Sequence, residues 1–515
     1  MDATLLQLPL AFAPVDWAIV GLYLASVLGL GWWFSRSKGE QADDAFTASR
    51  SMPAWTITLS LLATSLSAAT FIGAPNDAYR GNLSFLVLYL GNFLGIALVA
   101  FLFVPRLYSA GTTTIYGYLA TRFGPGSDKA AAVVFLLGRF LASGSRLFIA
   151  SIPLLYLLAP QLDASDPSWR ISLVGCVLLI GTVGTVYTML GGVRAVMWTD
   201  SIQLFLILGA VIVTIVVAAS QIDGGITQAF SDARAAGKLA WLDFSLDLSQ
   251  PYTFWTSLIG NAIFFAAVFG TDYDLAQRFL TAKSKKAAVW STLASQGVGL
   301  ITVGLFMVVG ILLWSFYQTR EAPAVASGLS VYVVFMVDHL PPVLSGLAVA
   351  GLFAAAQSSM DSAANAMAGV IRSDLMPRGS KLPPMLVTLF AGAGLIVFGV
   401  GAALTFDPAN RTLLDFALGV LAYAVCPLMG VFLCAFLTRR GTPASVIAAL
   451  LVGIALVAAG RYVPWFAGIH WFWHVPMVVL ASFGVCALPR TTYAHEAAAP
   501  EAGFEVIRSG HDPVV

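Results

Sequence analysis

MPAWTITLSLLATSLSAATFIGAPNDAYRG, residues 52–81, is long and apolar enough to cross a bilayer, which takes about 20 residues. Its middle, ATSLSAAT, is nevertheless crowded with hydroxyl and small side chains, and Pro75 follows. One Ser or Thr in a membrane helix bonds back to its own carbonyls without further meaning. A run of them from Thr56 to Thr70 fits a helix that unwinds at mid-depth and turns its carbonyls toward an ion.

AAAQSSMDSAAN, residues 354–365, sets a matching problem inside another apolar stretch. Small residues let helices approach closely, so Ala and Ser there are explained by packing. Asp361 is not, because an ionisable group within a span costs a few kcal/mol or more and marks a functional candidate. Arg139, Arg146 and Asp200 qualify on the same ground. Asp272 and Asp274 read as the inner end of a span. Ser358 and Ser362, four apart, share a face beside Asp361. Hard cations such as sodium prefer oxygen ligands, and the two segments together offer carbonyls, hydroxyls and carboxylates. On the residues alone, an ion-coupled carrier and a channel both remain open.

The rest of the chain agrees with a membrane protein. Its 515 residues are 58% hydrophobic and 10% charged, against about 25% charged in a soluble domain. About thirteen apolar stretches recur, near 16–34, 54–76, 84–107, 130–158, 171–190, 195–218, 252–276, 288–315, 342–369, 384–405, 411–437, 444–461 and 470–488. The N-terminus carries no Lys or Arg before its first apolar part, which reads as a retained span and not a cleaved signal. Arg50, Arg122, Arg278, Lys283, Lys285, Lys286, Arg439 and Arg440 fall on one side, with Gln277 and Arg278 read as a cytoplasmic gate or anchor. Fewer cations, Arg170, Arg234, Lys238 and Arg320 among them, fall on the other. The positive-inside rule then puts the N-terminus outside and the C-terminus in the cytoplasm of a multi-pass cell-membrane protein. Residues 1–490 are expected to form one membrane domain, and 491–515 a short polar tail expected to be disordered. Net charge is +1 and gives no reason to expect a nucleic-acid partner. The four cysteines lie within apolar stretches, so no disulfide framework is expected. No phosphate loop, metal cluster or nucleophile–base set is visible, which argues against an enzyme.

Four segments in order resemble the sodium:solute symporter family, which includes sialic acid, proline and galactose carriers. They are LSLLATSLSAATFIGAP (59–75), GGVRAVMWTDSIQ (191–203), GTDYDLAQRFLTAKS (270–284) and GLFAAAQSSMDSAANAMAGVIRSDL (351–375). The resemblance implies an all-α LeuT-type fold. Two inverted five-helix repeats, about 54–218 and 252–437, would be preceded by one extra helix and followed by two. It implies sodium as coupling ion, no other cofactor, and a small-molecule solute as cargo. The family's common sodium site maps onto the carbonyls of Ala63, Leu66 and Ala355 and the hydroxyls of Ser358 and Ser359. A second sodium site found in some members maps onto Asp200, Ser358 and Ser362, with Asp361 where others carry Ser or Thr. Substrate positions map onto Ser65, Ser67, Thr70, Phe85, Tyr89, Arg146 and Phe265. Tyr89 replaces an expected Gln of sialic acid carriers, and Phe265 an expected Asn of galactose carriers. Arg146 suits a carboxylate, whose two oxygens match its planar fork, but could instead pair with Asp200 or Asp361. Arg139 reads as structural, and Asp200 could order a loop through Arg194. A proton-coupled or sugar-type carrier and a transporter-like sensor are the alternatives.

Overall fold

A computed structural model describes residues 12–35, 48–323 apart from 161, 163–165 and 167, then 330–377, 380–405, 413–463 and 468–489. The N-terminal eleven residues and the tail after 489 lie outside the described part, so the expected disorder of 491–515 is not addressed. Among the described residues the chain is helical, with a single bridge between Met52 and Ala282.

The main helices, in chain order, are α1 (Pro14–Ser35), α2 (Ala54–Ser65), α3 (Ala68–Arg80) and α4 (Leu88–Leu98). A π turn at Val99–Phe103 carries α4 on into Val104–Ala110. Next come α5 (Ser127–Leu158), α6 (Trp169–Ser220), α7 (Ala262–Thr271), α8 (Tyr273–Leu280) and α9 (Lys285–Phe316). The set closes with α10 (Leu344–Val370), α11 (Pro384–Thr405), α12 (Leu413–Leu437), α13 (Pro443–Tyr462) and α14 (His474–Ala487). Each of the thirteen apolar stretches is helical over most of its length. Nine described helices are long and apolar enough to cross a membrane, and the bent pair α2/α3 makes a tenth. The stretches at 252–276 and 470–488 hold shorter apolar helices, Thr256–Thr271 and Trp471–Ala487.

The breaks position the site. Leu66 is extended (φ −79°, ψ 114°), Ser67 likewise, and α2 and α3 meet at a 68° bend. Asp272 is extended in the same way (φ −89°, ψ 114°) between α7 and α8. Within α6 the backbone of Gly192 (φ 60°, ψ −178°) separates the two expected spans, a conformation open only to glycine. Helix α10 is the centre of the bundle: every residue from Ala348 to Val370 is buried. It packs on α6, α11, α1, α5 and α2 and touches α3 and α8. A helix so surrounded by protein does not need a lipid-compatible surface, which is why it tolerates Gln357, Ser358, Ser359, Asp361, Ser362 and Asn365.

Candidate functional site

The break after Ser65 releases backbone carbonyls from the helical ladder, and α10 meets them with hydroxyls. Ser358 Oγ lies 3.1 Å from the Ala63 carbonyl oxygen and 3.3 Å from that of Ala355. Ser359 Oγ lies 3.4 Å from the carbonyl oxygens of both Leu66 and Ala355. All five residues are buried. The structure therefore brings together the five neutral oxygens that the sequence singled out.

A charged cluster adjoins them. Asp200 Oδ2 on α6 accepts from Ser60 Oγ at 2.6 Å and Thr64 Oγ1 at 3.5 Å, and lies 3.4 Å from Arg278 Nη2. Thr64 Oγ1 lies 3.3 Å from Ser362 Oγ, which also accepts from Arg278 Nη2. Arg278 Nη1 pairs with Asp274 Oδ1 at 2.8 Å, and Arg139 Nη2 reaches Asp272 Oδ2 at 2.7 Å and Asp274 Oδ2 at 2.9 Å. Asp361 accepts from the Ser362 amide at 3.1 Å through Oδ1, and feels the charges of Asp200 and Arg278. Asp361 Oδ2 and Asp200 Oδ1 are buried with no hydrogen-bond partner among the described residues.

Three sequence expectations change here. Arg278, read as a cytoplasmic gate or anchor, is fully buried and ties α8 to α2, α6 and α10. The cause is the break at Asp272, which ends α7 and lays α8 back against α2 and α10. Gln277 is buried with it and accepts from Asn365 Nδ2 at 3.1 Å. Asp272 and Asp274 are not an ordinary span end but the counter-ions of Arg139, which is structural as expected. Asp200 meets Ser60, Thr64 and Arg278 in the bundle instead of ordering a loop. Sequence reading missed Ser60, Thr64 and Asp274. A usable signal was present in Asp274 and Arg278, an acid–base pair four apart on a helix.

The expected substrate residues are spread over α2, α3, α4, α5, α7 and the turn before α4. From Ala142 to Leu155 of α5, every residue except Arg146 is buried, and Arg146 is itself partly buried. It forms no ion pair with Asp200 or Asp361 among the described residues, and its Nε is buried without a partner. Helix α5 packs beside α3, whose half-exposed Thr70, Gly73 and Asp77 form one stripe. Ser65 is also half-exposed, its hydroxyl donating to Leu62, and Ser67 is buried at the start of α3. Tyr89 reaches over Gly299 of α9. Phe85 meets Tyr252 edge-on at 5.4 Å, and half-exposed Phe265 stacks on Phe269 at 5.9 Å.

A profile of the Sodium:solute symporter family matches residues 45–453. The chain is similar to the Homo sapiens sodium/iodide cotransporter, at 30% identity over 467 residues, covering 86% of this chain and 69% of that protein. It is 28% identical over 476 residues to the sodium/sialic acid symporter SiaT of Proteus mirabilis (strain HI4320), covering 88% and 90% of the two chains. It also superposes on a solved structure described as the substrate-bound outward-open state of a Na+-coupled sialic acid symporter. The TM-score is 0.77 at 25% identity, over 94% of this chain and 100% of the other. The fold is thus the all-α LeuT type expected above. With the family profile running through both broken helices and the helix that joins them, the chain belongs to the sodium:solute symporter family, a multi-pass membrane carrier whose coupling ion is sodium.

Proposed function

We propose that the chain imports a small anionic organic solute, by sodium symport and alternating access, and does not alter it chemically. The observation that carries this reading is the convergence of five buried oxygens from Ala63, Leu66, Ala355, Ser358 and Ser359. A cation whose oxygen ligands stand at about 2.4 Å, as for calcium of similar size, sets neighbouring ligands about 3.4 Å apart. The separations of 3.1–3.4 Å agree. Neutral ligands also suit a monovalent ion that must leave again.

The buried charges support a second cation at Asp200, Ser358, Asp361 and Ser362. Around Asp200 the fully buried set holds four aspartates, Asp200, Asp272, Asp274 and Asp361, against two arginines, Arg139 and Arg278. Uncompensated buried charge is costly, and the unpartnered oxygens of Asp200 and Asp361 are where another positive charge fits. The same two oxygens favour one alternative, a proton carried on Asp361.

For the solute, Arg146 is the anchor. Its Nε is buried without a partner among the described residues, and Thr70, Ser65, Ser67, Phe85, Tyr89 and Phe265 would supply the remaining hydroxyl and aromatic surface. Two relatives with anionic cargo, iodide and sialic acid by name, lend support. We place the N-terminus outside and the C-terminus in the cytoplasm of the cell membrane. Each sodium entering down 100 mV then supplies about 2.3 kcal/mol.

A thermal-shift screen of purified protein against organic acids, amino acids and sugars, with and without sodium, identifies the solute class. Reconstituted uptake then measures coupling. Uptake unchanged in sodium-free buffer overturns sodium symport. Asp361→Asn is expected to lower the sodium-to-solute ratio by one. A ratio that holds while solute-driven proton uptake disappears assigns a proton to Asp361 instead.

A further inference from the structure

Helix α1 precedes both repeats, and most of its surface is open: Leu22 and Trp33 are each 70% exposed. One stripe is not. Asp16, Val20, Tyr23 and Val27 recur at helical spacing and are buried against α6 and α10. Two members of that stripe make polar contacts with α10, and both contacts are specific.

The first is at the start of α10. Asp16 Oδ1 accepts from the amides of Val343 at 2.7 Å and Gly346 at 2.9 Å. These amides have no partner in the helix itself, and a carboxylate there also complements the helix dipole. The approach needs glycine, since a Cβ on Gly346 would stand 2.7 Å from Asp16 Cα. The second lies deeper. Tyr23 Oη donates to Gln357 Oε1 at 2.6 Å and accepts from Gln203 Nε2 at 3.1 Å. All three residues are buried. Gln357 immediately precedes Ser358 on α10, and Gln203 follows Asp200 by three residues on α6. One phenolic hydroxyl therefore joins α10, which contributes to both proposed cation sites, to α6, which carries Asp200 of the second.

We propose that α1 positions the sodium site, with Tyr23 as the positioning residue that sets the rotation of α10 against α6. The inference rests on the reading of Ser358 and Ser359 as sodium ligands. Its physical basis is the cost of leaving buried amides and hydroxyls unpaired. If Gln357 turns to find another partner, α10 turns with it. The hydroxyls of Ser358 and Ser359 then sweep through the same angle, away from the carbonyls of Ala63 and Leu66. Asp16 fixes the outer end of the same helix, so Tyr23 acts on a rod already held at one point.

The test compares sodium activation of uptake in proteoliposomes for five variants of the full chain, with a sixth in reserve. Tyr23→Phe keeps the ring and removes the hydroxyl. It is expected to raise half-saturating sodium about three- to tenfold, the worth of one net hydrogen bond, while half-saturating solute at excess sodium stays within about twofold. Gln357→Met is expected to give a similar shift, and the double variant no more than either alone, since both cut one contact. Leu22→Ala, on the open face of α1, leaves sodium activation as it was. Should Tyr23→Phe not fold, Gln203→Met cuts the other side of the same hydroxyl and carries the same expectation. An unchanged sodium curve in Tyr23→Phe, or additive shifts with Gln357→Met, overturns the positioning role. Ser358→Ala separates the two levels. If it leaves sodium activation untouched, the sodium site itself fails and this inference with it. If it shifts activation while Tyr23→Phe does not, only the role of α1 fails.

Discussion

The two broken helices, α2/α3 and α7/α8, share nearly the same backbone: Leu66 and Asp272 both hold ψ at 114°, with φ of −79° and −89°. What surrounds them differs completely. At the first break, the carbonyls of Ala63 and Leu66 accept from the hydroxyls of Ser358 and Ser359. At the second, Asp272 caps α8 through the Asp274 amide and pairs with Arg139, while Asp274 pairs with Arg139 and Arg278. One break carries the neutral oxygens of the proposed sodium site. The other is closed by charges carried on the chain. On that proposal the same backbone interruption would serve as a site in one half of the molecule and as a fixed hub in the other.

The sharpest way to break that contrast is at the hub. Arg139→Leu strands the buried carboxylate of Asp272, leaves Asp274 to Arg278 alone, and is expected to destabilise the fold by about 3–5 kcal/mol, read as a large drop in melting temperature or loss of folded protein. A variant that melts like the parent would mean the hub is not a fixed scaffold. Next in size is Arg146→Lys. It keeps a charge but loses the planar fork, and should raise half-saturating solute roughly a hundredfold while sodium activation holds. A neutral solute, or an unchanged affinity, removes Arg146 from the binding surface. At the open break, Ser358→Ala should raise half-saturating sodium about tenfold with little loss of stability, the reverse of the pattern at Arg139.

The first break was legible because its signal is local: a run of hydroxyl and small residues in an apolar stretch says that something other than lipid is met at mid-depth. Asp361 and Asp200 were legible for the same reason, as charges where water is scarce. The hub was not. Within TDYDLAQR the polarity looks like the end of a span, and no periodicity reveals that α8 doubles back into the bundle after Asp272. Arg278 was accordingly read as facing the cytoplasm, although it is fully buried. Arg139 in the fourth span looked odd alone, and the two aspartates in the seventh looked like an ordinary span end. Only the fold makes them partners, 133 residues apart in the case of Arg139 and Asp272. Lys238 escaped for a similar reason. Read as an outer-side charge, it is largely buried, and its Nζ donates to the carbonyls of Tyr79 at 3.0 Å and Gly81 at 2.5 Å, at the far end of α3.

Lys238 also supplies the smallest and most discriminating change. It anchors the C-terminal end of the helix whose N-terminal end forms the open break, so it asks whether that break is set from afar or by what faces it. Lys238→Met keeps the apolar stem and removes the charge-assisted bonds to two carbonyls that can turn to water. The expected cost is about 1 kcal/mol or less, a fall of about 2 °C or less in melting temperature. Half-saturating sodium should stay within about twofold of the parent value, because the hydroxyls of Ser358 and Ser359 hold the carbonyls of Ala63 and Leu66 from the opposite side. A shift as large as that of Ser358→Ala would reverse the assignment. The geometry of the open break would then depend on tension along α3, and the neutral site would be held by a distant charge, much as the hub is held by near ones.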